Sequence, residues 1–114
     1  MKTKNLLSLE VIDFTDVSVG VVINAAATPI TTSVHLEVVA SLADTVHAIK
    51  VMDTIGRYIG LYSGASGSEE LRCVLGLGEN QPLGIHLNKG DRISLMSLDG
   101  STADEGKLCV QFLG

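Results

Sequence analysis

The chain has few aromatic residues and few basic ones. It contains no tryptophan, and its 114 residues include two phenylalanines and two tyrosines. Modules that bind sugars display exposed aromatic platforms, so this composition disfavours carbohydrate recognition. Eight lysines and arginines stand against 13 acidic residues, giving a net charge of -5. A protein with this negative charge would repel the phosphates of a nucleic acid, so nucleic acid is not an expected partner.

Long hydrophobic runs are also missing. No segment approaches the roughly 18 unbroken apolar residues of a membrane span. The N-terminal segment has two consecutive apolar residues, Leu6 and Leu7, before Ser8, which is too short for the core of a signal peptide. We therefore expect no membrane partner and synthesis in a cytoplasm.

Cysteine is limited to Cys73 and Cys109. Strand alternation predicts that Cys73 shares the core face with Leu71 and Leu75, whereas Cys109 points outward. The two thiols then lie on different faces, so we expect reduced cysteines and no disulfide. Because 46% of the residues are hydrophobic, one core can form in a chain of this length without metal or disulfide support.

The apolar residues that remain fall into short segments separated by turn residues. Glycines 56, 90 and 100 stand in turn sequences that need a positive φ. Spacing of this kind is typical of a β-sandwich or barrel. We predict an all-β, antiparallel β-sandwich that forms a single domain over residues 9–114, with residues 1–8 as an N-terminal arm. The predicted strands are 9–14, 17–23, 30–38, 46–52, 57–62, 71–75, 83–87, 92–98 and 107–113.

The alternation also predicts faces. In the segment 30–38 every second residue from Ile30 is assigned to the buried face, and in the last strand Leu108, Val110 and Phe112 point inward. Several apolar residues fall on the opposite faces, which indicates an interaction surface. These outward apolar residues are Val39, Tyr58, Tyr62, Val74 and Met96.

Histidines suggest a metal site only weakly. A cupin-type site needs two histidines two residues apart on one strand and a third later, whereas this chain offers His35 followed by Glu37, with His47 and His86 each alone. Alternation places His35, Glu37 and His86 on outward faces. We therefore predict no metal-binding residues and no cofactor.

Catalytic motifs are equally weak. Ser66, between Gly64 and Gly67, lacks the spacing of a nucleophile elbow, and the glycines at 76 and 78 do not continue into a dinucleotide-binding motif. We therefore predict no catalytic residue and interpret the Gly-rich segments 63–68 and 76–81 as surface loops that can make contacts. Two neighbouring pairs of carboxylates, Glu69 with Glu70 and Asp104 with Glu105, are candidates for acid–base catalysis. Asp44, Glu79 and Asp91 are candidate calcium ligands, which would require their loops to converge.

The C-terminal part carries a resemblance to a known group of proteins. It consists of residues 49–62, a Gly-Ser loop ending in Gly67-Ser68-Glu69, residues 83–95 with Gly90-Asp91-Arg92-Ile93-Ser94-Leu95, and the closing segment 106–114. Over residues 46–114 this pattern resembles small virion proteins of tailed bacteriophages. The resemblance implies a jelly-roll decoration or cement protein that is made in the host cytoplasm and located on the outer capsid surface.

The expected function is therefore non-enzymatic: the protein would bind the major capsid protein, bridge capsid subunits and stabilise the shell. It would act as a homodimer or a trimer, with Cys109 near a contact and with Lys2 and Lys4 in an arm that reaches the partner. Two alternatives remain open. One is a receptor-binding or carbohydrate-binding module on a tail or fibre, and the other is a small cupin-like metal-binding enzyme.

Overall fold

A computed structural model describes residues 17–75 and 83–114. These residues form eight strands and no helix. The strands are β1 (Val17–Asn24), β2 (Leu36–Val39), β3 (Val46–Asp53), β4 (Ile59–Ser63), β5 (Glu70–Leu75), β6 (Leu83–Leu87), β7 (Ile93–Ser97) and β8 (Lys107–Leu113).

The strands build two four-stranded antiparallel sheets that pack face to face. The first sheet has the order β1-β8-β3-β6 and the second has the order β2-β7-β4-β5. Strand β1 therefore pairs with β8, β2 with β7, β3 with β6 and β4 with β5, as in one long hairpin wrapped around a common core. This is the strand order of a jelly roll. The predicted all-β sandwich of jelly-roll type is confirmed.

The core lies between the sheets and is almost wholly aliphatic. Leu108, Val110 and Phe112 all point into it from β8, which lies between β1 and β3 in the first sheet. The predicted inward face of the last strand is confirmed. Opposite β8, Leu61 from β4 and Leu95 from β7 close the core from the second sheet. Burial of these side chains is the main stabilising contribution of the fold.

The strand predicted at 30–38 is largely wrong. Only β2 is a strand there, and Ile30 makes an isolated bridge to Ala103. Between them the hydroxyl of Thr31 accepts a hydrogen bond from the backbone N–H of Val34 at 3.2 Å, so the segment turns where an extended strand was expected. Val34 consequently lies in solvent, 63% exposed, although alternation placed it in the core.

A β-bulge in β5 overturns the predicted face of Leu71. Leu61 pairs with Cys73 and Tyr62 with Leu71, so Arg72 is the extra residue. Cys73 packs against the core as predicted, whereas Leu71 moves to the outer face and is half exposed. The side chain of Arg72 reaches the other sheet, where its Nη2 donates to the carbonyl of His86 at 3.1 Å.

A second bulge corrects Val39. Glu37 pairs with Ser94 and Val39 with Ile93, which leaves Val38 as the extra residue of β2. Both valines therefore pack against the core, and Val39 does not join the outward apolar set.

The predicted turns agree with the backbone where the structure describes it. Gly56, Gly90 and Gly100 all have φ between 75° and 93°, the left-handed region that glycine adopts without strain. The predicted arm at 1–8, the predicted strand at 9–14 and the predicted loop at 76–81 lie outside the described residues.

Candidate interaction face

The outer face of the second sheet carries an apolar surface. Gly60 of β4 pairs with Val74 on one side and with Met96 on the other, and Tyr62 pairs with Leu71. Since neighbours in a sheet point to the same side, these residues share the face opposite the core. Leu71 and Val74 are 50% and 44% exposed, so the surface is open to solvent over β5.

Gly60 forms the floor of this surface. A Cβ placed on Gly60 would lie 2.8 Å from Cε1 of Tyr62, 3.0 Å from Cδ1 of Leu71 and 3.2 Å from Cδ1 of Leu98. The three side chains therefore converge above a position that has no side chain of its own. Glycine in a strand often marks such a close approach.

Tyr58 extends the same surface beyond β4. Its carbonyl accepts a hydrogen bond from the N–H of Leu98 at 3.0 Å, which places the two residues side by side. Tyr58 is 49% exposed and Leu98 is 39% exposed. We call the whole set the apolar face; its residues are Tyr58, Gly60, Tyr62, Leu71, Val74, Met96 and Leu98.

A charged network lies next to Tyr62. Nε of Arg92 lies 2.8 Å from Oε1 of Glu37 on β2, and Nη1 lies 3.0 Å from Oε2 of Glu69. Nη1 also donates to the carbonyl of Gly64 at 3.3 Å. One guanidinium thus fastens the loop between β4 and β5 to strands β7 and β2. Oε1 of Glu69 in turn accepts a hydrogen bond from the N–H of Gly67.

His35 joins the network to the apolar face. Its ring stands edge-on to Tyr62, with centroids 4.5 Å apart and an interplanar angle of 86°. Its Nδ1 lies 3.3 Å from Oγ of Ser94, and its Nε2 lies 3.8 Å from Oε1 of Glu69. The result is an apolar centre with a polar rim, the common anatomy of a protein–protein interface.

The pKa values of the rim follow from these contacts. The pKa of Glu69 lies below its ordinary value, chiefly because its own backbone N–H hydrogen bonds the carboxylate. Burial opposes this shift, whereas Arg92, Gly67 and His35 add to it. The pKa of Arg92 is raised, first by its hydrogen bond to Glu37 and then by that to Glu69. Both groups are therefore held in their charged forms.

The first sheet also presents outward apolar residues. Cys109 of β8 pairs with Val22 of β1 and with Met52 of β3. Val22 is 66% exposed and Met52 is 59% exposed, while Cys109 between them is partly buried. Cys109 therefore lies outward as predicted. This strip of three residues contains no aromatic side chain, whereas the apolar face includes two tyrosines.

The structure separates most of the sequence candidates. His35 and Glu37 lie on the outer side of the second sheet, whereas His47 and His86 are exposed on β3 and β6 of the first sheet. Among residues 17–75 and 83–114, no group of three or more His, Cys, Asp or Glu is placed to hold a metal ion. Cys73 and Cys109 are both free thiols, on β5 and β8.

Three of the candidate carboxylates, Asp91, Glu69 and Glu70, make local contacts. Oδ2 of Asp91 accepts a hydrogen bond from the N–H of Asn88 at 2.9 Å, which closes the turn between β6 and β7. Glu69 turns toward Arg92, while Glu70 lies 3.7 Å from Arg72 and is exposed. Of the weighed calcium ligands, Glu79 lies outside the described residues.

Sequence reasoning missed the network around Arg92. Arg92 is 55 residues from Glu37 and 23 from Glu69, so no local pattern links them. It also placed Leu71 in the core and omitted Leu98 from the outward apolar set. A bulge cannot be read from alternation alone, which explains the first error.

Comparison with known proteins gives no assignment: no family model, no curated protein and no solved structure matches this chain. Within the described part of the chain, no helix is long and apolar enough to span a membrane.

Proposed function

We propose that the protein is a non-enzymatic structural component of a tailed-bacteriophage virion that binds the outer surface of the capsid. It would contact the major capsid protein, bridge neighbouring subunits and stabilise the shell, as decoration or cement proteins do. The resemblance of residues 46–114 to small virion proteins suggests the setting, and the jelly-roll sandwich is compatible with it.

The apolar face is the observation that carries the proposal. Exposed aliphatic side chains at Leu71, Val74 and Leu98 lie with Tyr58 and Tyr62 on one side of the second sheet. Contiguous apolar surface of this kind usually marks a binding site for another protein. The adjoining rim of Arg92, Glu37 and His35 supplies directional contacts. A stable contact would bury about 800 Å² on each partner.

Self-association is part of the same proposal. Among residues 17–75 and 83–114 each sheet ends in two outer strands, β1 and β6 in the first and β2 and β5 in the second, and an edge strand can pair with another chain. In a homodimer or a trimer, binding of one subunit to the particle would raise the effective concentration of the other subunits at their own binding sites. Sedimentation velocity of the free protein at micromolar concentration would measure its oligomeric state.

The test is binding to particles. Gradient-purified particles that lack the protein are mixed with the parent chain, with Leu71→Asp or Val74→Asp, and with Ala43→Asp, at an exposed position between β2 and β3, as the control for an added charge. We expect the parent and A43D to bind saturably at a fixed ratio to the shell protein, and L71D and V74D to bind at least about tenfold more weakly. Equal binding by L71D and V74D would refute the assigned face.

Particle stability distinguishes the second candidate, a receptor-binding module of a tail or fibre. Tyr58, an exposed aromatic side chain beside Leu98, is the feature that favours it. Under the capsid proposal, particles without the protein lose resistance to heat and osmotic shock but still adsorb to cells. Particles that stay robust and fail to adsorb would favour the receptor-binding module.

A further inference from the structure

His47 and His86 form a pair on the outer side of the first sheet, away from the apolar face. His47 is on β3 and His86 is on the neighbouring strand β6. Both side chains are exposed, and their ring centroids lie 5.6 Å apart with an interplanar angle of 54°. The ring planes are therefore inclined to one another and do not stack in parallel.

We propose that His47 and His86 form a two-imidazole chelate for a divalent transition-metal ion such as Zn²⁺. A Zn–N bond of about 2.0–2.1 Å puts each ring centroid roughly 3.2 Å from the metal, so two rings at a tetrahedral angle have centroids about 5.2 Å apart. The observed separation of 5.6 Å is close to this spacing. Imidazole is a preferred ligand of Zn²⁺, Cu²⁺ and Ni²⁺.

The surroundings of His86 prepare it for this role. Its Nε2 lies 3.0 Å from Oδ1 of Asn88. With the amide oxygen as acceptor, the ring proton is on Nε2 and the lone pair is on Nδ1, where it can bind a metal. A hydrogen bond from the second ring nitrogen is the usual support of a ligating histidine. The net charge of -5 also favours a bound cation.

The pair supplies two ligands, because no third His, Cys, Asp or Glu joins it among residues 17–75 and 83–114. Because β3 and β6 are paired, the backbones that carry the two imidazoles are already fixed, and binding one ion orders only the two side chains. The remaining coordination positions are open to water. The proposal is independent of capsid binding, since the apolar face lies on the other sheet.

Calorimetric titration of the full-length protein with zinc chloride at pH 7.5 tests the site directly. We expect one ion per chain, with His47→Gln and His86→Gln each weakening binding by at least about tenfold. His35→Gln removes the histidine that lies on the second sheet and serves as the matched control; it should bind like the parent. Parent affinity in H47Q or H86Q, or equal loss in H35Q, would overturn the proposal.

A second measurement uses the parent protein, so its result does not depend on whether a variant folds. In ¹⁵N-resolved spectra of histidine rings, added zinc should shift the ring nitrogens of His47 and His86 together and leave those of His35 unchanged. Zinc up to millimolar concentration that shifts neither ring would refute the chelate. A shift confined to one of the two rings would likewise refute it, because it would show a single-ligand contact.

Discussion

Nη1 of Arg92 lies 3.0 Å from Oε2 of Glu69, and the side chain of Glu69 is only 8% exposed. The side chain of Arg92 is 17% exposed, and its guanidinium also contacts Glu37 on a third segment of the chain. Because Glu69 belongs to the loop before β5, this pair ties the loop to the start of β7. It thereby fixes the edge of the apolar face beside Tyr62.

The first prediction follows from the charge of Glu69. Its pKa is lowered in the folded protein, so the ionised form favours the fold, and this contribution is fully present above the ordinary glutamate pKa of 4.5 that applies to the unfolded chain. It is lost as pH falls through the lower, folded pKa. We expect Glu69→Gln to lower Tm at pH 7. As the pH falls below the glutamate pKa of the unfolded chain, Tm should fall less steeply in E69Q than in the parent.

Thermal unfolding followed by circular dichroism between pH 3 and pH 7 would measure this difference. Glu70→Gln is the matched control, since the side chain of Glu70 is 76% exposed and its contact with Arg72 is 3.7 Å long. Its Tm profile should follow that of the parent. If the Tm profiles of E69Q and the parent stayed parallel between pH 3 and pH 7, Glu69 would not be a source of the pH dependence of stability.

A second prediction concerns Phe112. This side chain is fully buried on β8, between Ile49 of β3 and the backbone of β1. Phe112→Ala should lower the free energy of unfolding by about 3–5 kcal/mol, because it removes a large buried side chain from a closely packed core. Gln111→Ala, on the outer side of the same strand, should change it by less than about 0.5 kcal/mol. Urea unfolding would measure both, and a similar midpoint for F112A and the parent would contradict the assigned core.

A third prediction compares two glycines to separate two costs of an added methyl group. One is the cost of a left-handed backbone conformation, and the other is the cost of a steric overlap. Gly106 has a φ of 83°, and a Cβ there would lie 2.6 Å from the carbonyl oxygen of Thr54 and 2.8 Å from Cα of Ile55. Gly100 has a similar φ of 80° but nothing within 4 Å of its Cβ position. Gly100→Ala should therefore cost about 1–2 kcal/mol for the left-handed conformation alone.

Gly106→Ala carries the same conformational cost and adds an overlap with backbone atoms, which cannot move aside as side-chain tips can. We expect it to be less stable than G100A by at least a further ~1 kcal/mol. Equal urea midpoints for the two variants would show that the turn at 54–55 yields to the added methyl group.

These residues also show what could be predicted from sequence. Alternation in β8 identified Leu108, Val110 and Phe112 because that strand pairs with β1 and β3 and runs without a bulge beside β3. It failed at Leu71, because one extra residue, Arg72, reverses every face that precedes it. It failed between Ile30 and Leu36 because Thr31 forms a local hydrogen-bonded turn.

The candidate site was predicted only in part. Outward apolar residues such as Tyr58, Tyr62 and Val74 follow from alternation within single strands, and they lie in the apolar face. Their convergence above Gly60 requires the pairing of β4 with β5 and β7, which no local pattern specifies. Pairing between distant strands likewise brings His47 and His86 together. Their proximity could not be predicted from the sequence, where each histidine stands alone on its own strand.

The last prediction concerns the reactivity of Cys73. Burial raises the pKa of its thiol to about 11, with a small opposing effect from the charge of Arg72. The thiolate is the reactive species, so a shift from the ordinary value of 9.0 to about 11 lowers its fraction at pH 8 about a hundredfold. In Cys109→Ser, where Cys73 is the remaining thiol, reaction with an aromatic disulfide reagent should be at least about tenfold slower in the native protein than in urea, because the greater nucleophilicity of a more basic thiolate offsets part of the loss. The Cys73→Ser variant, which keeps the thiol of Cys109 on the outer face of β8, is the control for reagent quality and access. Native C109S that reacted as fast as its unfolded form would show that β5 opens readily, and Cys73 could not then be counted with the packed core.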